Sequence, residues 1–225
     1  MEPVELCFDY LSPYAYLAWP RVRALCGRRG AELRITPVLL AGLLNHWGQL
    51  GPAEIIPKML FVFKDCARKA VLYGVPLRSP RFHPFNPLTA LRVSQREVAG
   101  EDQRRVVDAL FGAGWGEGAD LGSAGEIAAI LDAAGLAGAR LVQKAGEPAA
   151  KDALRAATER AVGNGVFGVP TMLVGSELFW GNDQLDDVDR RLAGKDPIDG
   201  VDLAQLVPQG SSAQRRRPET KRSES

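Results

Sequence analysis

The spacing of apolar residues changes period along the chain, and each change marks an element. Val4 to Phe8 is a short β-favouring run that ends in Asp9-Tyr10-Leu11-Ser12-Pro13. Ser followed by Pro reads as a helix N-cap and first helical position. From Tyr14 to Cys26 the pattern is helical, with Tyr16, Leu17, Trp19, Val22 and Leu25 available to pack and Pro20 expected to kink it. Gly27-Arg28-Arg29-Gly30 supplies the stop, so the helix is expected to end near Cys26. Glu32 to Val38 is a second strand, which makes a β-α-β opening.

From about Leu43 to Gly163 the signal is helical. Ile55 to Tyr73 is a long amphipathic pattern halted by Gly74-Val75-Pro76, and Pro84-Phe85-Asn86-Pro87 opens a helix expected to run to Gly100. Further helical stretches cover 102–111, 124–134, 137–144 and 148–162, punctuated by glycines. Thr171 to Val174 and Glu177 to Phe179 are strands across a Gly175-Ser176 hairpin, and Gln184 to Leu192 is a closing helix. The expected organisation is a sheet-containing unit formed by 1–42 and 164–205, with an all-helical insertion over 43–163. A tail over 206–225, nearly devoid of apolar residues, is expected to be disordered.

Composition narrows the class. At 225 residues, 46% hydrophobic and 24% charged, the chain has the balance of a soluble globular protein. The net charge of +1 argues against a nucleic-acid or membrane-surface partner. Five Lys/Arg and two Glu lie in 206–225, so the remainder carries 23 basic and 25 acidic residues and the basic excess sits in the tail. MEPVELCFDY lacks a basic segment followed by an apolar one, and no apolar run approaches the roughly 20 residues of a membrane helix. A cytoplasmic location is the default expectation. Cys7, Cys26 and Cys66 form no close pair and read as buried hydrophobes, without disulfide or zinc site.

Candidate chemistry lies at three places. At Ser12-Pro13-Tyr14-Ala15, a helix start offers unpaired N–H groups and partial positive charge that would stabilise a thiolate. Serine cannot supply that thiolate; Ser12 reads either as a plain N-cap or as a hydroxyl donor to an external anion. At Gly168-Val169-Pro170-Thr171, Pro before a strand is an ordinary turn residue, or a cis bond that would present the Val169 backbone to an extended ligand. At Phe179-Trp180-Gly181-Asn182-Asp183, Asn182 or Asp183 caps the last helix, or meets the amine and carboxylate of a peptide-like ligand.

Together, Phe8 to Leu17, Gly165 to Thr171 and Leu178 to Asp183 resemble the 2-hydroxychromene-2-carboxylate isomerases and the kappa-class glutathione transferases over about residues 4 to 193. These are relatives of the thioredoxin-fold disulfide oxidoreductases that carry a helical insertion. The resemblance implies an α/β, thioredoxin-like fold with a large all-helical insertion, and glutathione as cofactor. Ser-Pro-Tyr-Ala stands where the oxidoreductases have Cys-x-x-Cys, so disulfide exchange is not expected. Ser12 would hydrogen-bond the glutathione sulfur as the one catalytic residue, and Val169 would pair with its cysteinyl backbone. Trp180, Gly181, Asn182 and Asp183 would complete the cofactor site at the γ-glutamyl end. The reaction implied is cis–trans isomerisation of an aromatic-ring breakdown intermediate by a borrowed thiolate nucleophile. A kappa-type transferase and a non-catalytic binding module are the alternatives. A homodimer is a possible assembly, because members of this group are often dimers.

Gly48-Gln49-Leu50-Gly51-Pro52 departs from the family's Gly-Asn-Lys-Pro-Pro. Gln49 keeps an amide but the lysine charge is gone, leaving Lys58, Lys64 or His46 for a substrate carboxylate. Phe85 and Asn86 are candidates for the substrate pocket, against plain roles as a core residue and a helix cap. His46 and His83 are assigned surface or capping roles, and no metal site is built from them. Arg215-Arg216-Arg217 reads as a solvated disordered run, with a nucleic-acid contact as the weaker alternative.

Overall fold

The computed structural model describes residues 2–206, 208 and 210; apart from Leu206, Pro208 and Gly210, the tail expected to be disordered lies outside the described residues. Four strands, β1 (Val4–Phe8), β2 (Leu33–Pro37), β3 (Thr171–Val174) and β4 (Glu177–Trp180), form one mixed sheet in the order β2-β1-β3-β4. β1 pairs parallel with β2 (Leu6 opposite Ile35) and antiparallel with β3 (Leu6 opposite Met172). The centre of the sheet therefore joins the two ends of the chain.

Between β2 and β3 lies a helical block. It contains α2 (Leu40–Trp47), α3 (Ile56–Tyr73), α4 (Leu88–Val93), α5 (Arg96–Ala99), α6 (Gln103–Phe111), α7 (Ala124–Ala133), α8 (Gly138–Ala145) and α9 (Pro148–Gly163). α1 (Pro13–Arg29) links β1 to β2, and α10 (Leu185–Leu192) follows β4.

Strand alternation decides which helices cover which face. Val4, Leu6 and Phe8 of β1 and Met172 and Val174 of β3 face a core shared with α1, α3, α6 and α10. Cys7 and Leu173 point the other way, into a smaller cluster with Leu43 of α2 and Ala161 of α9. Each large apolar side chain buried this way contributes about 1.5–3 kcal/mol. Phe8, Tyr10 and Phe111 meet with ring centroids 4.7 to 5.3 Å apart, which anchors the end of β1.

Several expected boundaries move. α1 continues to Arg29 because the left-handed cap is Gly30 (φ 68°), not Gly27, and the helix remains one element through Pro20. The helix expected from Pro84 starts at Leu88, since Pro84 and Pro87 lack N–H groups and the Asn86 carboxamide Oδ1 accepts from the Leu88 N–H at 3.1 Å. It also breaks at Ser94-Gln95. There the Ser94 hydroxyl bonds the Ala90 carbonyl (2.8 Å) and the Tyr10 hydroxyl (2.7 Å), while Gln95 Nε2 donates to the Pro37 carbonyl (3.0 Å). Side chains that bind backbone elsewhere compete with helix propagation. α2 had no separate signal. Among the described residues no helix is long and apolar enough to cross a membrane, and no group of three or more His, Cys, Asp or Glu is placed to hold a metal.

Candidate active site

The turn between β1 and α1 is held from several sides. Asp9 is fully buried; its Oδ1 accepts from the Leu11 N–H (2.9 Å) and its Oδ2 from the Leu40 N–H (2.8 Å) at the start of α2. Burial pushes the Asp9 carboxyl up to about 6, against the opposing pull of those two bonds. Tyr10 is gripped at both ends, its hydroxyl by Ser94 and its carbonyl by the indole N–H of the buried Trp115 (2.7 Å).

Ser12 follows, only 7% exposed and in the extended conformation of an N-cap. Its Oγ accepts from the Ala15 N–H at 3.2 Å and donates to the Val169 carbonyl at 3.3 Å. Capping and donating are thus carried by one atom. The donated bond is long, so little is lost when the hydroxyl turns to a better acceptor. The first turn of α1 contains no acidic residue of its own, and the carboxylates nearest to it, Asp65 and Asp183, come from other elements.

Val169 joins Pro170 through a cis peptide bond at the entry to β3. Trp180, at the end of β4, packs its indole edge against Phe167 (5.1 Å) and over Gly168, where an added Cβ would lie 2.7 Å from Nε1. Gly181, at φ +113°, returns its N–H to the Pro170 carbonyl (2.9 Å). The hairpin register, Thr171 opposite Trp180, is what carries the Gly181–Asp183 turn beside the Val169 loop.

Asn182 and Asp183 do not cap α10; the cap position is Gln184, without a side-chain bond. Asn182 is 2% exposed, with its carbonyl taken by Arg21 Nη1 (2.7 Å) and its Oδ1 by the Tyr73 hydroxyl (3.3 Å). Arg21 also lies 4.1 Å over the Tyr73 ring. α1 and α3 thus clamp this turn, and the Asp183 carboxylate remains exposed.

Other expected site residues are placed differently. Gln49 is exposed just beyond α2, whose end is tied in by Trp47 Nε1 donating to the Val166 carbonyl (2.9 Å). Phe85 is half-buried beside His83, and Asn86 is spent on the start of α4. The surface or capping role expected for His83 is corrected: its ring is half-buried among Phe63, Phe85 and Trp115, and Nε2 meets the Leu11 carbonyl at 2.9 Å. A carbonyl only accepts, so Nε2 carries the proton.

Sequence reasoning missed Tyr14 and Lys69, which converge on Asp65 Oδ2 at 2.7 and 2.9 Å. The i,i+4 spacing of Asp65 and Lys69 was the available signal. The chain's own thiols are excluded as nucleophiles. Burial raises all three, Cys66 to about 12, so each is a neutral thiol at neutral pH.

Comparison with known proteins identifies the family. Residues 3–193 match the DSBA-like thioredoxin domain family. A 2-hydroxychromene-2-carboxylate isomerase of Sphingobium xenophagum is 31% identical over 188 residues, 82% of this chain and 95% of the relative. Glutathione S-transferase kappa 1 of Rattus norvegicus is 26% identical over 204 residues, covering 81% of this chain and 87% of the relative. A solved 2-hydroxychromene-2-carboxylate isomerase superposes with a TM-score of 0.76 at 28% identity, over 91% of this chain and 99% of that one. The chain belongs to the DSBA-like thioredoxin domain family and stands within it beside the 2-hydroxychromene-2-carboxylate isomerases and kappa-class glutathione transferases.

Proposed function

We propose that the chain is a glutathione-dependent cis–trans isomerase of 2-hydroxychromene-2-carboxylate or a similar aromatic-degradation intermediate. The observation that carries this reading is the Ser12 hydroxyl, buried at the start of α1 and bonded to the Val169 carbonyl. Relatives 30 to 31% identical that bear the isomerase's name support the substrate class.

The residues fit glutathione. Buried, neutral cysteines leave the thiolate to an outside donor, and Ser12 is a donor that can be redirected to it. Val169 would meet the cysteinyl backbone, and Gly181 to Asp183 the γ-glutamyl end. Because Asn182 already spends its carbonyl and Oδ1 on Arg21 and Tyr73, the exposed Asp183 carboxylate would take the ligand's amine. Bound glutathione supplies a thiolate able to add reversibly to a conjugated double bond, which frees that bond to rotate. Ser12 holds negative charge at the sulfur by hydrogen bonding, and the start of α1 adds its dipole. Gln49, Phe85 and Asn86 would line the substrate side.

One observation favours the transferase alternative. Leu50, exposed, stands where the isomerase pattern has lysine, which removes a cation for a substrate carboxylate. Incubation with glutathione and a chloronitrobenzene separates the two, because stoichiometric thiol consumption marks a transferase. The proposal itself is tested by titrating glutathione near neutral pH and following thiolate absorbance in wild type and Ser12→Ala. Loss of the signal in the variant alone supports it, and equal signals reject it. A homodimer is part of this reading: α3 exposes Ile56, Leu60, Val71 and Leu72 to solvent.

A further inference from the structure

Away from Ser12, a cavity of about 560 Å³ opens between α2, α4 and α9. Its apolar lining is Leu39, Leu88, Leu154 and Val162, and Arg92, Lys151, Arg155 and Glu159 supply its charge, with His46 at one side. None of the residues assigned to the thiolate site lines it.

The charges do not cancel. Arg155 is paired with Asp152 at 2.6 Å, which leaves Arg92 and Lys151 against Glu159, one positive charge in excess among the Lys, Arg and Glu side chains of the lining. Neither Arg92 nor Lys151 forms an ion pair among the described residues. Arg92 is half-buried, and its Nε is fully buried with no hydrogen-bond partner among the described residues. Arg92 nevertheless lines the cavity and is only half-buried, so the accessible part of its guanidinium, and not the enclosed Nε, is what an entering acceptor can meet. The walls are fixed rather than accidental. The Thr158 hydroxyl accepts from the Leu39 N–H (3.0 Å), and α2 meets α9 so closely at Gly42 that an added Cβ would lie 3.1 Å from Thr158.

We propose that this cavity binds a small organic monoanion with an apolar body, its carboxylate held by Arg92 and Lys151 and its hydrocarbon laid against Leu88, Leu154 and Val162. An apolar floor beside cations without ion-pair partners is the pattern of sites for such amphiphiles. Acetate has the charge without the body, and decanol the body without the charge; decanoate has both.

The test is calorimetric titration of the full chain with these three probes. Saturable one-to-one binding of decanoate is expected, with decanol and acetate at least about tenfold weaker. Arg92→Met keeps the stem and deletes the guanidinium. It should weaken decanoate by about tenfold or more and leave decanol unchanged. Leu154→Trp, which fills the cavity, should abolish decanoate binding, and Ser12→Ala should leave it intact. Equal affinity for decanoate and decanol would overturn the proposal. So would undiminished decanoate binding in Arg92→Met, absence of saturable heat, or loss of binding in Ser12→Ala.

Discussion

The Ser12 hydroxyl donates to the carbonyl of Val169, 157 positions away in the sequence, across the end of the β1–β3 pair. Ser12→Ala removes this donor and the acceptor for the Ala15 N–H at once. The expected loss is about 1 kcal/mol of stability, typical of an N-cap. Under the proposed function glutathione thiolate formation disappears as well, whereas a non-catalytic module would keep its glutathione affinity. Denaturant unfolding beside a glutathione titration reads both.

Tyr73→Phe keeps the ring under Arg21 and deletes only the bond to Asn182 Oδ1. Stability should fall by about 0.5–1.5 kcal/mol, the net value of one neutral hydrogen bond. Glutathione KM should rise more than kcat falls, because the turn that would hold the γ-glutamyl end is loosened. Arg21→Ala should act in the same direction and more strongly, since a charged donor to the buried Asn182 carbonyl is lost. Steady-state kinetics on both variants checks the split, and an equal fall in kcat without a KM change would contradict it.

Gly168→Ala forces a methyl to within 2.7 Å of the Trp180 indole nitrogen. Overpacking of this kind costs about 1–3 kcal/mol. Half of Trp180 is exposed, so the ring has somewhere to go, and Trp180→Ala should recover most of the loss. A double-mutant cycle by thermal unfolding measures the coupling.

Asp9 links stability to pH. Burial raises its carboxyl from 3.8 to about 6 in the folded chain, so between those values the folded state holds more proton than the unfolded one. Stability therefore falls as pH rises from about 4 to about 6, by roughly 3 kcal/mol at most. Asp9→Asn should remove this slope while lowering stability at every pH, because its amide NH2 would face one of two backbone N–H donors. Urea unfolding across that range tests it.

What could be read from the sequence is what chemistry acts locally. The Ser12-Pro13 helix start and the Gly175-Ser176 hairpin depend on neighbours in the chain and, with the family resemblance, supported the fold class; the missing cysteine pair spoke only against disulfide exchange. The stop of α1 was misjudged because two glycines were available and only Gly30 adopts the left-handed conformation. The contacts of Tyr14 with Asp65 and of Tyr73 with Asn182 span 51 and 109 positions, beyond any local period. His83 sits in a Pro-rich stretch that reads as surface. Its ring cage comes from Phe63 and Trp115, which only the folded helical block brings together.

The sheet order has a consequence for synthesis. β1 is a central strand whose second neighbour, β3, begins at Thr171, so most of the chain must leave the ribosome before that edge is covered. Every contact between the Ser12 turn and the Val169 loop forms only after this closure, at the entropic cost of a long loop. A nascent or truncated chain that stops short of β3 can build helices but holds neither half of the proposed thiolate site against the other. Under the proposed function, reactivity and completed biosynthesis thus arrive together.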